Sequence, residues 1–202
     1  WMLISAFTVA IFNGIVRHIS ADVHPFEIAF LHSAFGVLYL TPVYFRSGLA
    51  PLKTQRLPMH ALRAALNVTA SLFMIMALSI SPLAEVAALS FSAPLFATVL
   101  AVALLGERMR ARRLGALLVG FAGTWLVFRP GLEAVEPGSL LVLGFAVAWG
   151  GAMIAIKALS RTETSLTQTL ILGLLNTPMA AVAAIPVWQT PSLGQLAWLA
   201  GL

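Results

Sequence analysis

Apolar residues follow one another along this chain in long runs, without the two-residue alternation of a half-buried strand. Seven runs approach the roughly 20 apolar residues that a helix needs to cross a bilayer. They span residues 1–19, 25–45, 61–80, 83–105, 113–128, 139–159 and 165–188, and an eighth begins near Leu193. The short fifth run is expected to begin earlier, at Ala111. The pattern predicts an all-α polytopic membrane protein with seven complete spans and part of an eighth.

Short polar segments with helix-breaking residues separate the runs. Examples are His24-Pro25, Ser81-Pro82, Arg129-Pro130-Gly131 and Glu136-Pro137-Gly138. The composition agrees, because 60% of the 202 residues are hydrophobic and only 9% are charged, against about 25% charged in soluble domains. The apolar excess is therefore expected to face lipid. The chain contains no cysteine, which excludes disulfides and thiolate chemistry within it.

The basic residues divide unequally between the two ends of the predicted bundle. We call side A the end with the loops after the first, third, fifth and seventh runs, and side B the other end. Arg17 and Arg129 fall on side A, whereas side B holds Arg46, Lys53, Arg56, Arg63, Arg108, Arg110, Arg112, Arg113, Lys157 and Arg161. The positive-inside rule then makes side B cytoplasmic. We expect a bacterial inner-membrane protein with a cytoplasmic N-terminus. The net charge of +5 reflects topology and does not indicate a nucleic-acid partner.

A weak internal repeat relates the first run to the sixth. Residues 7–10 (Phe-Thr-Val-Ala) resemble 145–148 (Phe-Ala-Val-Ala), and each following helix contains Thr-Pro, at 41–42 and 177–178, in registers that differ by four residues. A five-helix repeat would place its copies in opposite orientations, as in many secondary transporters. We therefore expect a first repeat at 1–131 and a truncated second repeat at 137–202. Because Trp1 and Leu202 lie inside apolar runs, we expect a fragment of a ten-helix protein.

The fourth run carries the most distinctive sequence. Residues 81–96 read Ser-Pro-Leu-Ala-Glu-Val-Ala-Ala-Leu-Ser-Phe-Ser-Ala-Pro-Leu-Phe. Further along come Leu-Gly-Glu-Arg at 105–108, glycines at 115, 120 and 123, and Arg-Pro-Gly at 129–131. These motifs, with the segment 21–27 before the second run, resemble the EamA family of the drug/metabolite transporter superfamily. The resemblance covers 1–131 well and the remainder loosely.

This resemblance implies ten helices in two inverted repeats, with no metal or organic cofactor. It also implies transport of amino acids, nucleoside-like compounds, vitamins or related metabolites. Members of the family often carry arginine where this chain has His32, so an anion-binding role is not carried over to that position.

Polar residues inside the apolar runs are the candidate binding residues, because polar groups are costly in a bilayer. His32 lies roughly 10 Å into the second run at 1.5 Å per residue. Asn67 and Ser71 share one helical face with Arg63, at four-residue spacing. The remaining substrate-binding candidates are Ser90, Ser92, Pro94 and Trp149, with Pro94 expected to bend its helix. The alternative for these residues is ordinary hydrogen bonding between helices.

Three residues are candidates for coupling transport to protons. His32 could titrate near neutral pH inside the membrane. Glu85 and Glu27 lie where their helices begin, so either could instead simply interact favourably with a helix N-terminus. Weaker binding candidates are Asn13, Trp125, Gln168 and Asn176.

These patterns favour a secondary transporter of a small molecule. The chain has no phosphate-binding G-x-x-x-x-G-K-[ST] motif, so it is not expected to use ATP. It also lacks H-E-x-x-H and G-x-S-x-G, so we do not expect an enzyme. The alternative is a non-transporting membrane scaffold or assembly partner. The expected partners are a small-molecule substrate and the lipid bilayer, and a homodimer is left open.

Overall fold

The computed structural model describes residues 2–48, 50–106, 111–128 and 136–201, and in these ranges all regular structure is helical. The helices are α1 (Met2–Ile19), α2 (Pro25–Ser47), α3 (Leu57–Ile80), α4 (Leu83–Ser90), α5 (Ala93–Leu105), α6 (Ala111–Phe128), α7 (Pro137–Leu159), α8 (Ser165–Ala184) and α9 (Leu193–Ala200). Short 3₁₀ turns occupy Ala50–Leu52 and Ile185–Val187. The all-α class predicted from the sequence is confirmed, and Ala111 belongs to α6, as expected.

Five helical segments within the described ranges are long and apolar enough to cross a membrane. They are Pro25–Ser47, Leu57–Ile80, Leu83–Leu105, Pro137–Leu159 and Ser165–Val187. The other two predicted spans contain shorter apolar stretches, Ala6–Ile19 and Leu114–Leu126. Large apolar side chains remain exposed around the bundle, among them Leu3, Phe7, Phe45, Phe91, Val119, Leu126 and Leu193. An apolar exterior of this kind is the surface that lipid covers.

The fourth span, expected as one bent helix, consists of two helices. Helix α4 ends at Ser90 and α5 begins at Ala93. Pro94, in the first turn of α5, has no N–H to donate to the carbonyl four residues earlier. The Ser90 hydroxyl donates to the Ala87 carbonyl, 2.7 Å away, and helps to end α4. The bend predicted at Pro94 is therefore a break, centred on residues 91–92.

The corners between α1 and α2 and between α7 and α8 have the same local structure, 140 residues apart. In the first corner the Ser20 hydroxyl donates to the Val16 carbonyl at 2.6 Å. In the second, the Ser160 hydroxyl donates to the Ile156 carbonyl at 2.8 Å. The backbone N–H groups of both serines repeat these bonds at 2.9 Å. The two corners thus turn the chain by the same hydrogen bonds.

Helices α3 and α7 form the centre of the bundle and run antiparallel. Gly144 of α7 lies against Phe73 of α3, and Gly151 lies against Leu66. The residue numbers thus rise along α7 as they fall along α3. On another face of α7, Gly150 approaches α5 so closely that a Cβ there would lie 2.9 Å from the Ala97 backbone nitrogen. Small residues at contacts let membrane helices pack closely. Helix α8 packs between α2 and α3.

Hydrogen bonds near the loops show which helix ends lie together, and the grouping agrees with a chain that crosses the membrane back and forth. At side A, the Arg17 guanidinium donates to the carbonyls of Leu78, at 2.7 Å, and Ser81. At side B, the Thr54 hydroxyl donates to Glu163 at 2.6 Å, which joins the α2–α3 loop to the α7–α8 corner. The connections before α2 and α4 thus lie at one end, and those before α3 and α8 lie at the other.

Candidate functional site

An amide pair joins α3 to α8 inside the bundle. The side-chain Nδ2 of Asn176 donates to Oδ1 of Asn67 at 2.6 Å. The Oδ1 atom of Asn176 is buried and has no hydrogen-bond partner among the described residues. Two helices that run in the same direction bring these residues together, although 109 positions separate them. The pair therefore presents an unoccupied hydrogen-bond acceptor within the membrane-spanning part of the protein.

The α2–α8 contact next to this pair is also polar. Thr177 donates to the Ser33 carbonyl of α2, at 3.2 Å, and to the Gly173 carbonyl of its own helix, at 3.0 Å. Nearer side B, the Tyr44 hydroxyl donates to the Leu170 carbonyl at 2.7 Å. Helix α8 is thus joined by hydrogen bonds to the helices on both of its sides.

His32, the histidine predicted for binding and proton coupling, is half-buried on α2. Its ring meets the ring of Phe12 on α1 edge-on, with centroids 5.1 Å apart. The next residue, Ser33, supplies the carbonyl that Thr177 contacts. His32 therefore lies beside the α2–α8 contact, with its ring packed towards α1.

Two further candidates lie on the central helices. Ser71 is half-buried on α3, one turn beyond Asn67. Trp149 is half-buried on α7, where its indole stacks on Phe145 at 6.2 Å between centroids. Because α3 and α7 pack along their lengths, these polar and aromatic groups occupy adjoining helices.

The third group of candidates surrounds the break between α4 and α5, where only one of them is both buried and unpaired. Ser92 is 1% exposed, and its hydroxyl has no partner among the described residues. Ser90 uses its hydroxyl within α4. Pro94 is exposed on the surface of α5. Ser92 is thus the member of this group best placed to bind a ligand.

Both candidate carboxylates lie at side A, away from the amide pair. Glu27, in the first turn of α2, is 1% exposed and accepts the backbone N–H of Gln189. Glu85, in the first turn of α4, accepts the hydroxyl of Ser139 on α7. Each carboxylate therefore ties its helix to a segment beyond residue 135. No group of three His, Cys, Asp or Glu side chains in the described ranges could hold a metal ion.

Sequence reasoning missed one polar residue at the side B end of α3. His60 is 1% exposed, and neither ring nitrogen has a hydrogen-bond partner within the described part of the chain. One turn further on, Arg63 donates to the backbone carbonyl of Gln168 at 3.1 Å and to its side-chain oxygen at 3.3 Å. His60, Arg63 and Asn67 follow a three- and four-residue spacing, the signal that would have identified His60.

Together the apolar helices and their internal polar contacts define a polytopic membrane protein. Comparison with known proteins supports and narrows this class. The model of the EamA-like transporter family matches residues 1–129. The chain belongs to the EamA-like transporter family.

Curated relatives in this family are named as carriers of small metabolites. The chain is 30% identical to a riboflavin transporter of Vibrio cholerae over 203 residues, which cover 98% of the chain and 68% of that protein. It is 29% identical to an S-adenosylmethionine uptake transporter of Rickettsia bellii, with the same two coverages. A pseudopaline exporter of Pseudomonas aeruginosa is 28% identical over 78% of the chain and 56% of the exporter. No solved structure matches the chain significantly.

Proposed function

We propose that this chain forms the substrate-binding part of a secondary transporter, which moves a small metabolite across the bacterial inner membrane by alternating access. The observation that carries the proposal is the Asn67–Asn176 pair, in which the buried Asn176 oxygen has no hydrogen-bond partner among the described residues. A scaffold has no use for an unsatisfied acceptor in a bilayer, where such a group is costly. A solute that donates a hydrogen bond would satisfy it.

The substrate class we propose is a small molecule with a flat, nitrogen-rich ring. Riboflavin and S-adenosylmethionine, named for two relatives, both contain such a ring. The amide groups of Asn67 and Asn176 can donate and accept hydrogen bonds at a ring edge. Trp149, already stacked on Phe145, offers a face for ring stacking. His32, Ser71 and Ser92 complete the proposed set of contacts.

We propose side B as the cytoplasmic side, with the N-terminus also cytoplasmic. Of the described basic residues, those at side B are Arg46, Lys53, Arg56, Arg63, Arg112, Arg113, Lys157 and Arg161, whereas Arg17 lies at side A. The positive-inside rule supports this orientation.

We further propose two inverted repeats, at 1–131 and 137–202. The matching corners after α1 and α7 support this division, because Ser20 and Ser160 make the same bonds. The antiparallel course of α2 and α8 also fits, since inverted repeats give equivalent helices opposite directions.

Solute flux in vesicles tests the proposal. The full-length protein, reconstituted in proteoliposomes, should take up riboflavin, S-adenosylmethionine or another ring-containing metabolite from a labelled panel. Protein-free liposomes and the Asn176→Leu variant serve as controls, and the variant should bind solute poorly because it lacks the acceptor. An absence of flux for every compound, with and without a pH gradient, would favour the scaffold alternative.

A further inference from the structure

His60 stands apart from the other buried polar residues of the bundle. It lies in the first turns of α3, at side B, with 1% of its surface exposed. A neutral imidazole carries one donor and one acceptor. In this structure both nitrogens lack partners among the described residues, which costs free energy in a buried site. Buried groups left unpaired in this way call for a functional explanation.

Side-chain hydrogen bonds near His60 join the helices at side B. Glu163, in the α7–α8 corner, accepts the Thr54 hydroxyl at 2.6 Å. Arg63 holds the start of α8 through Gln168. These contacts connect α3 and its preceding loop to the α7–α8 corner, and we call them the side B latch. The imidazole is 1% exposed and lies within reach of the charges of Glu163 and Arg63, which both take part in the latch.

Two charges act on the ring from the described residues, the carboxylate of Glu163 and the guanidinium of Arg63. Helix α8 contributes the neutral side chains of Thr167 and Gln168 at this end. The side B cations Arg46, Lys53, Arg56, Lys157 and Arg161 are exposed. Glu163 is therefore the described acid whose charge favours an imidazolium in the closed form, although it makes no hydrogen bond to the ring.

We propose that His60 is a proton-binding site whose protonation opens the side B latch. With the latch closed, the ring is neutral, because a buried imidazolium would carry two unpaired donors. When the α7–α8 corner moves away from α3, water reaches the ring and His60 binds a proton. The hydrated imidazolium resists return to the buried site, where its two donors would be unpaired, so the α7–α8 corner stays away from α3. Proton binding and opening favour each other by linkage, so acid stabilises the form open at side B.

This inference rests on the proposed alternation of the two ends, but its test does not require a known substrate. The chain has no cysteine, so spin labels can be attached at Lys53→Cys and Arg161→Cys, two exposed positions on the segments that the latch joins. Cysteines elsewhere in the full-length protein are replaced by serine. Electron–electron distances are then measured in lipid nanodiscs at about pH 5.5 and about pH 8, on either side of the usual histidine range.

We expect acid to roughly double the fraction of long distances in the parent protein, a population shift driven by one proton site. The His60→Gln variant should lose this response, whereas His24→Gln, a change at an exposed histidine of side A, should retain it. A pair of labels at Asp22→Cys and Thr190→Cys, both exposed at side A, should not report the same opening. An equal acid response in His60→Gln, or none in the parent, would overturn the proposal.

A second variant keeps the test decisive if His60→Gln fails to fold. Glu163→Gln retains an oxygen that can accept the Thr54 hydroxyl, but it lacks the charge that would attract an imidazolium. Because the Glu163 charge favours an imidazolium in the closed form, Glu163→Gln should show an acid response at least as large as the parent's, and loss of the response would also overturn the proposal. Failure of the proposed transport function is distinguished by a separate measurement. The parent would then transport no solute at either pH, whatever its spin-label distances.

Discussion

Asn67 and Asn176 illustrate how one hydrogen bond can mark a site inside a membrane bundle. Each side chain alone would be costly in lipid, and the pair satisfies only part of its hydrogen-bonding capacity. Oδ1 of Asn176 has no partner in the described part of the chain, so a solute that donates a hydrogen bond to it would stabilise the bound state. The pairing also makes each residue sensitive to loss of the other.

Replacing Asn67 by alanine should impair solute binding. The change removes the acceptor for the Asn176 Nδ2 group, and an unpaired buried group costs ~1–3 kcal/mol. We expect KM for uptake to rise roughly tenfold, which corresponds to about 1.4 kcal/mol. Thr69→Ala, at an exposed position of the same helix, is the matched control. An unchanged KM in Asn67→Ala would exclude this residue from the site.

Glu27 should matter for stability through the hydrogen bond that it accepts. Glu27→Ala leaves the Gln189 N–H without its acceptor, at a cost of ~1–3 kcal/mol. Glu27→Gln keeps an acceptor oxygen, so its melting temperature in detergent should stay near that of the parent. The control is Glu136→Ala, because Glu136 is exposed and makes no capping bond to α7. Equal melting temperatures for Glu27→Ala and the parent would show that the hydrogen bond contributes little.

At the scale of elements, the contact between α5 and α7 depends on Gly150. A Cβ at this position would lie 2.9 Å from the Ala97 nitrogen and 3.2 Å from the Phe96 carbonyl carbon. Backbone atoms cannot move aside as a flexible side chain can, so the two helices would have to separate.

Alanine at position 150 should therefore destabilise the fold. In a helix, glycine to alanine normally stabilises by roughly 0.5–1 kcal/mol, but overpacking costs about 1–3 kcal/mol. We expect Gly150→Ala to lower the melting temperature. Gly14→Ala, where a Cβ meets nothing within 4 Å, should leave it unchanged or raise it. The two variants behaving alike would contradict the close approach.

The course of the helices could be read from the sequence, whereas the ends of some could not. Long apolar runs identify the spans, because a helix satisfies its own backbone hydrogen bonds in lipid. Prolines mark where several spans start, because proline has no backbone N–H to donate within a helix. The third run was expected to begin at Ala61, but α3 begins at Leu57, with Pro58 in its first turn. That early start draws His60 into the bundle, although the sequence placed it in a loop.

The candidate site could be predicted only within single helices. Four-residue spacing put Arg63, Asn67 and Ser71 on one face, and two of these do contact α8. The pairing of Asn67 with Asn176 depends on how α3 packs against α8. The periodicity of the sequence gives no information about which helices are neighbours. For the same reason the sequence grouped Ser90, Ser92 and Pro94 as one patch, whereas in the structure only Ser92 is buried.

At the scale of the whole molecule, the two ends of the bundle carry different charges, which permits a direct test of orientation. Asp22 at side A and Arg161 at side B are both exposed, so each can be replaced by a single cysteine. In intact cells stripped of the outer membrane, a membrane-impermeant maleimide should label the Asp22→Cys protein and spare Arg161→Cys until the cells are lysed. The opposite labelling would invert the proposed topology, against the positive-inside rule.

The central claim is that a solute reaches the Asn67–Asn176 pair from both sides of the membrane in turn. Ser71, half-buried one turn from Asn67, is a suitable reporter as a single cysteine in the full-length protein. The decisive measurement is its labelling by an impermeant thiol reagent in right-side-out and inside-out vesicles, with and without the transported solute. Alternating access predicts labelling from both sides and protection by the solute from both sides. Labelling from one side alone, or from neither, would contradict the account.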